Sequence, residues 1–313
     1  MASQICTRCV MDTSAGEISF GDGGVCSFCD EALQRLPGYQ YDERQEAENL
    51  AKQKTRIQTS KRGSYDSIVG LSGGVDSSYV ALLAWKMGLN PLCVHFDNGW
   101  NTDIAVKNIR NIIDRTGFDL HTYVIDWQEF RDLQRAFIRA GVLDIEMLTD
   151  QAHFAATHKL KREFGIKYTR VGNNYRTEHG MPRSWNWPKW DLSNIRAIHR
   201  AHGEAPLRSY PQMSSLRRMC LTKVTGRETS VRLLDLVNYR KVDAMRALTQ
   251  GFGWEYYGGK HYESLFTKFY QCYILPVKFD IDKRRVHLSA LVRNGEISRG
   301  EALEELEKPP YEP

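Results

Sequence analysis

The stretch YDSIVGLSGGVDSS, residues 65–78, runs an apolar segment straight into a glycine-rich turn and a helix start. Ile68, Val69 and Leu71 supply the strand. At Ser72, Gly73 and Gly74 the small side chains let consecutive backbone amides approach an anion, and Val75 continues that run. A helix opening near Asp76, Ser77 and Ser78 adds unpaired N–H groups and the positive end of its dipole. The turn lacks the GxxxxGK[ST] spacing of a Walker loop, which argues against transfer of a terminal phosphoryl group. A plain serine-glycine turn is the bland alternative, and the flanking strand and helix weigh against it.

Working outward, the pattern alternates. Strands are expected at 65–71, 91–96, 120–125 and 166–171, and helices at 75–87, 102–115, 127–140 and 149–164. That alternation predicts an α/β fold built on a parallel sheet. Ligands of such sheets lie beyond the carboxyl ends of the strands. Three segments meet that condition: the Ser72–Ser78 loop, the turn Asp97, Asn98, Gly99 and Trp100, and the run Gly172, Asn173 and Asn174. One polar turn after a strand is commonplace, whereas three on one edge outline a pocket.

A chain of 313 residues can bury about three quarters of its unfolded surface. No apolar run reaches the ~20 residues of a membrane span, and the N-terminal MASQICTRC has no signal-peptide core, so a cytoplasmic protein is expected. Residues 1–150 carry 15 Lys and Arg against 21 Asp and Glu, whereas residues 151–313 carry 28 against 17. A basic second half suits an anionic partner, either nucleic acid or a phosphate-bearing small molecule beside the first anion site. A solvated basic surface is the plain alternative.

Four of the seven cysteines form two CxxC pairs, Cys6 with Cys9 and Cys26 with Cys29. Disulfides do not fit the expected compartment, and two such pairs suit a structural zinc ion held by four thiolates, closed to substrate. The chain is therefore expected to divide into a zinc knuckle at 1–40, a nucleotide-binding α/β domain at 63–178, and a mainly helical, basic region at 179–313, with 42–61 a helix or linker. In the last region, Trp185, Trp187 and Trp190 could stack on a ligand but are more often packed. A helix is expected at 262–273, ending before Pro276, and Ser298 with Glu301 forms a capping-box pattern.

Residues 72–77, SGGVDS, resemble the SGGxDS pyrophosphatase loop of the ATP-pyrophosphatase (PP-loop) superfamily. Within it the chain is similar to the N-acetyl sugar amidotransferases of surface-polysaccharide and flagellar-glycan biosynthesis. The resemblance rests on CTRCVMDTS at the N-terminus, LSGGVDSS, HFDNGW at 95–100, VGNNYRTE at 171–178 and the block 258–292. Residues 181–183 and 201–221 match least well. The resemblance implies conversion of an acetamido group of a nucleotide-linked or acid sugar into an acetamidino group, consuming ATP and ammonia and releasing AMP and pyrophosphate. It also implies that a separate glutaminase and its partner supply the ammonia. Membrane and nucleic-acid partners are not expected.

Chemistry then assigns roles. Amides of Gly73, Gly74 and Val75 with the hydroxyls of Ser72 and Ser77 would hold the β- and γ-phosphates, with Asp76 a Mg2+ ligand or a helix cap. Residues 97–100 and 172–174 would border adenosine, and Glu178 is a second magnesium candidate. Lys260, following Gly258 and Gly259, and the run Lys283, Arg284, Arg285 offer cations for the developing negative charge, although a charge run is ordinarily solvated. His261 or Glu263 could accept a proton from ammonium, and a lone histidine is more often structural. The main competitor is a tRNA-thiolating enzyme of the same superfamily. It needs a reactive sulfur, and only Cys93, Cys220 and Cys272 remain for that role. A zinc-ribbon binding module would explain the knuckle but not the pocket.

Overall fold

The structure, a computed structural model, describes residues 4–311. The chain opens with the cysteine knuckle and α1 (Ser27–Arg35), then α2 (Glu43–Thr59). The segment expected to be helix or linker is helix: Asp42 accepts from Gln45 N at 2.7 Å, and the Gln45 side chain accepts from Asp42 N at 3.0 Å. The alternating unit follows: β1 (Ser67–Gly70), α3 (Val75–Lys86), β2 (Pro91–Asp97), α4 (Asp103–Thr116), β3 (Asp119–Val124), α5 (Trp127–Ala140), α6 (Met147–Glu163) and β4 (Tyr168–Val171). Next come the short α7 (Tyr175–Glu178), α8 (Leu192–His202), α9 (Ser215–Met219) and β5 (Thr229–Arg232). Five helices complete the chain: α10 (Lys241–Phe252), α11 (Leu265–Phe269), α12 (Leu275–Phe279), α13 (Arg284–Arg293) and α14 (Arg299–Glu307).

The five strands form one sheet in the order β3-β2-β1-β4-β5, and every pairing is parallel. The chain moves outward from β1 through β2 to β3, then returns to the other side of β1 for β4 and β5. That reversal puts a crevice between the carboxyl ends of β1 and β4, where the Ser72–Ser78 loop and Gly172 lie. Central strands are apolar and covered on both faces, as a parallel sheet requires: Ile68, Val69 and Cys93 have no exposed surface.

Two elements depart from expectation. The edge strand β5 lies in the stretch read as helical, because its four residues alternate between half-buried and exposed and carry no continuous apolar run. The helix expected at 262–273 begins instead at Leu265 and continues past Pro276 to Phe279. A π-turn at Tyr270–Ile274 shifts the hydrogen-bond register there, so the missing proline N–H falls in the first turn of α12 and breaks no helix bond. The Ser298–Glu301 capping box is present and opens α14.

The core lies on both sheet faces. On one, α3, α4 and α10 bury Val80, Ile112, Leu248 and Trp254. On the other, α5, α6 and α8 pack with the C-terminal helices and with the four cysteines themselves. Trp185 joins this second core at 1% exposure and donates to Ser14 O at 3.2 Å, while Trp187 is half exposed and Trp190 stacks on Phe154. No helix among the described residues is long and apolar enough to cross a membrane.

Candidate functional site

The glycine-rich turn is fixed from behind. Asn108 Nδ2 and Trp254 Nε1 donate to Gly73 O at 3.3 and 3.0 Å. Gly73 has φ +81°, and a Cβ there would lie 2.3 Å from Ala105 O, so no other residue fits. Ser72 and Ser77 place their hydroxyls 3.1 Å apart across the mouth of the turn. The first turn of α3 has Gly74 as its cap, with no capping side chain. The amide of Val75 is met instead by the Tyr257 hydroxyl at 3.2 Å. Ser78, by contrast, is fully buried.

Asp76 stands at the edge of this cradle and accepts a hydrogen bond from the Tyr239 hydroxyl. Burial and then the nearby Glu178 carboxylate raise its pKa above the ordinary aspartate value. Gly172 allows the close approach of β4: a Cβ there would sit 3.0 Å from Asp76 Cβ. Glu178 is paired with Lys260 Nζ at 2.9 Å, and its other oxygen accepts from Asn173 Nδ2 and Asn174 N at 3.4 Å. Burial alone would raise the Glu178 pKa, but Lys260, His261 and the Asn174 amide together hold the carboxyl below its usual range. His261 adopts φ +63°, a left-handed conformation rare outside glycine, and lies 3.6 Å from Glu263. The second oxygen of Glu263 is buried without a hydrogen-bond partner.

Two cavities flank the cradle. One of about 330 Å³, lined by Ser72, Phe96, Asn98, Phe154, Gly172 and Glu263, lies over the carboxyl ends of β1, β2 and β4. The other, of about 540 Å³, is lined by Asp76, Lys241, Lys260, Lys283, His287 and Cys272. Its lining sets Lys241, Lys260, Lys283, Arg284 and Lys308 against Asp76, Glu301 and Glu305, a modest excess of positive charge. Burial and then Lys260, His261, Lys283 and Lys241 hold the His287 imidazole well below its ordinary pKa. Burial and the repulsion of Lys260 likewise lower Lys241.

The remaining expected residues are distributed as follows. Asp97 accepts from Gly99 N at 2.9 Å and Asn101 Nδ2 at 3.1 Å, ordering the turn after β2. Trp100 turns into the core, donating to Gln134 at 3.0 Å and packing on Trp127 and Phe266. Asn174 caps α7 through Thr177 N at 2.9 Å. The run 283–285 divides in two: Lys283 and Arg284 both line the larger cavity, Arg284 being also held by Asp282 at 2.8 Å, while Arg285 turns away to pair with Asp12 at 3.0 Å. Lys283 lies 3.8 Å from Glu146. Burial pushes the Cys93 thiol up to about 12 and raises that of Cys272, while Cys220 is exposed.

The four cysteines of the knuckle have no exposed surface, and their sulfurs lie within 4.8 Å of one another. The Cys6–Cys29 and Cys9–Cys26 separations are 3.8 and 3.7 Å. A tetrahedron with Zn–S bonds of about 2.3 Å has edges of about 3.8 Å, so the set fits a zinc ion. Backbone amides of Cys9, Cys26 and Met11 point at Cys6 and Cys9 sulfurs at 3.2–3.5 Å, as anionic sulfur requires.

Comparison with known proteins falls on this same architecture. Residues 263–313 match the family described as LPS biosynthesis protein WbpG-like, C-terminal domain. The chain is also 24% identical, over 310 residues covering 97% of its length and 93% of the relative's, to the uncharacterized protein MJ1599 of Methanocaldococcus jannaschii. Among solved structures it is similar to the NMN synthetase of Francisella tularensis, at 14% identity and TM-score 0.34 over 66% of this chain and 95% of that one. It is also similar to the NAD+ synthetase of Burkholderia pseudomallei, at 16% identity and TM-score 0.34 over 72% and 99%. The fold assignment rests on the strand order and the loop, not on these low scores. The matched C-terminal segment contains Glu263, Lys283 and His287 of the site.

Sequence reasoning missed Lys241, His287, Tyr239 and Tyr257. Tyr257 directly precedes the Gly258-Gly259-Lys260 run and could have been drawn in with it. Nothing local marks Lys241 or Tyr239, which reach Asp76 only because α10 packs beside α3.

Proposed function

We propose that this protein is an ATP-dependent, AMP-forming amidotransferase that converts the acetamido group of an N-acetyl sugar into an acetamidino group. The observation that carries the proposal is the juxtaposition, across Asp76, of an amide-lined anion cradle and a cation-lined cavity with room for a second phosphorylated molecule. The match of residues 263–313 to a lipopolysaccharide-biosynthesis family supports a sugar in that second cavity.

In this reading the adenosine of ATP occupies the smaller cavity and the β- and γ-phosphates rest on Ser72, Gly73, Gly74 and Ser77. The sugar acetamido oxygen attacks the α-phosphorus, the bond to pyrophosphate breaks, and an O-adenylyl imidate forms. Ammonia adds to the imidate carbon, loses a proton, and AMP departs with the former acetamido oxygen. Lys260 holds the charge that moves onto pyrophosphate, and Lys283, on the wall of the larger cavity, meets the phosphate carried by the sugar. Glu263 is the proton acceptor: one of its oxygens lies beside Gly74 and 3.6 Å from His261, which orients it, and the other is buried without a hydrogen-bond partner. Asp76 is the group that would hold magnesium, since it is a hard oxygen donor in the first turn of α3 that also lines the larger cavity. Bound there, the ion would supply neutralisation of the polyphosphate. Glu178 is already engaged by Lys260 and two asparagine donors and fits less well. The ammonia is supplied by a separate glutaminase. Burial raises the thiol pKa of Cys93 and Cys272, which leaves exposed Cys220 alone of the three for the sulfur chemistry of the tRNA-thiolating reading.

The test supplies purified protein with ATP, ammonium and a panel of nucleotide-linked N-acetyl sugars. AMP and pyrophosphate formed with one sugar, together with replacement of one oxygen by NH in its mass, is the expected result. AMP formation that instead requires tRNA and a sulfur donor overturns it.

A further inference from the structure

The knuckle is gripped by the last two helices through its backbone and through its sulfurs. Val10 N donates to Ser289 Oγ at 3.1 Å, Arg285 Nη1 donates to Val10 O at 3.0 Å, and Arg299 Nε donates to Cys6 O and Cys9 O at 3.0 and 3.1 Å. At the end of α13, the Arg293 guanidinium lies against the sulfurs themselves: Nε is 3.3 Å from Cys29 Sγ, and Nη2 is 3.2 Å from Cys9 Sγ and 3.9 Å from Cys26 Sγ. Arg293 is buried at 8% exposure. Residues 285, 289 and 293 recur every four positions and form one stripe of α13. Lys283, just before the helix, and His287, Leu288 and Leu291 line the cationic cavity.

Charge gives this arrangement a direction. Four thiolates around a divalent zinc carry about two net negative charges, which is costly in a dry interior. A guanidinium is the side chain suited to offset them, since its planar fork reaches several sulfurs at once and stays charged when buried. Without the ion the four sulfurs have no common centre, and the fork of Arg293 loses the fixed sulfur geometry it spans. Its other flank is equally constrained: Gly180 has φ +82°, and a Cβ there would fall 2.6 Å from Arg293 Nη1. Gly180 stands two residues beyond Glu178, the partner of Lys260.

We propose that Arg293 is a positioning residue that couples metal loading of the four-cysteine centre to the placement of α13. Through α13 the knuckle holds one wall of the cationic cavity, and through Gly180 it holds the segment that delivers Glu178. The metal centre thereby supports the site without touching a substrate.

The experiment uses the full-length chain as wild type, Arg293→Lys and Arg293→Met, loaded with zinc or cobalt. Three readouts are taken: the sulfur-to-cobalt charge-transfer absorption, the rate of zinc release to a chelator, and amide hydrogen exchange along residues 284–293. Loss of N–H···S bonds raises the energy of the sulfur donor electrons. Arg293→Met is therefore expected to move the charge-transfer band to lower energy, to release zinc at least tenfold faster, and to exchange along α13 like zinc-stripped wild type. Protection of β1 and α3 should persist. Arg293→Lys, which keeps the charge without the fork, should fall between and serves if the methionine variant does not fold. An unchanged spectrum and release rate in the variants, or full α13 protection in zinc-stripped wild type, overturns the proposal. None of these readouts depends on turnover.

Discussion

The anion cradle and the cationic wall face one another across Asp76, yet they are built in opposite ways. The cradle is one contiguous run, residues 72–77, whose shape follows from a strand, two glycines and a helix start. The wall takes Lys241 from α10, Lys260 from a loop, and Lys283 and His287 from the approach to and first turns of α13. The cradle therefore depends on backbone geometry, where one added methyl group is decisive. The wall depends on summed charge, where single losses are graded.

Four substitutions would break or sharpen that contrast. Asp76→Ala should lower AMP formation by roughly 10²–10³ and move the thermal transition little, since it removes the magnesium-holding carboxylate, and the lost Tyr239 hydrogen bond is offset by removing a carboxylate whose charge burial disfavours. Steady-state AMP release and calorimetry on the same sample check both halves. Lys260→Met is expected to destabilise the fold by about 3 kcal/mol, because it leaves Glu178 buried and unpaired. Urea unfolding of this variant and of the double variant with Glu178→Gln should show most of that loss recovered. The pair also sets a pH dependence. The folded Glu178 carboxyl is held below its ordinary value, so its contribution is fully present above the usual carboxylate range. It is lost as pH falls through the lower folded value, and Glu178→Gln should flatten that part of the stability profile.

Gly73→Ala comes next. With φ +81° and a Cβ placed 2.3 Å from Ala105 O, it should cost about 2 kcal/mol in chemical denaturation and abolish nucleotide-dependent protection. An alanine variant of wild-type stability would remove the geometric account of the cradle. The smallest effect is expected from Lys283→Ala: about a tenfold rise in KM for the sugar, with KM for ATP unchanged. Equal rises in both would merge the wall with the cradle and erase the division of labour drawn between the two cavities.

The extent to which each region could be read in advance follows the same divide. Helices α3, α4 and α5 and strands β1 to β3 fall within a residue or two of the positions their apolar periodicity predicts, because each is specified by neighbours in the chain. The four-cysteine set is equally legible, since two CxxC pairs bring their own geometry. Strand β5 was not, because four alternating residues look the same whether they pair or lie in a loop. Pro276 misled for a related reason. Its usual helix-ending effect is cancelled by the π-turn at Tyr270–Ile274, which no residue pattern in the stretch announces.

Sequence by itself determined the first four strands of the sheet, the glycine-rich turn with Gly73 at its centre, and the four-cysteine set, since strand period, glycine freedom and cysteine spacing are local properties. Only the tertiary structure decided that Lys241, Tyr239 and His287 join Asp76, that Trp100 serves the core, and that Arg293 closes over the cysteine sulfurs. Those outcomes are sums of burial and charge over segments up to 284 residues apart, and no stretch of chain carries that sum alone.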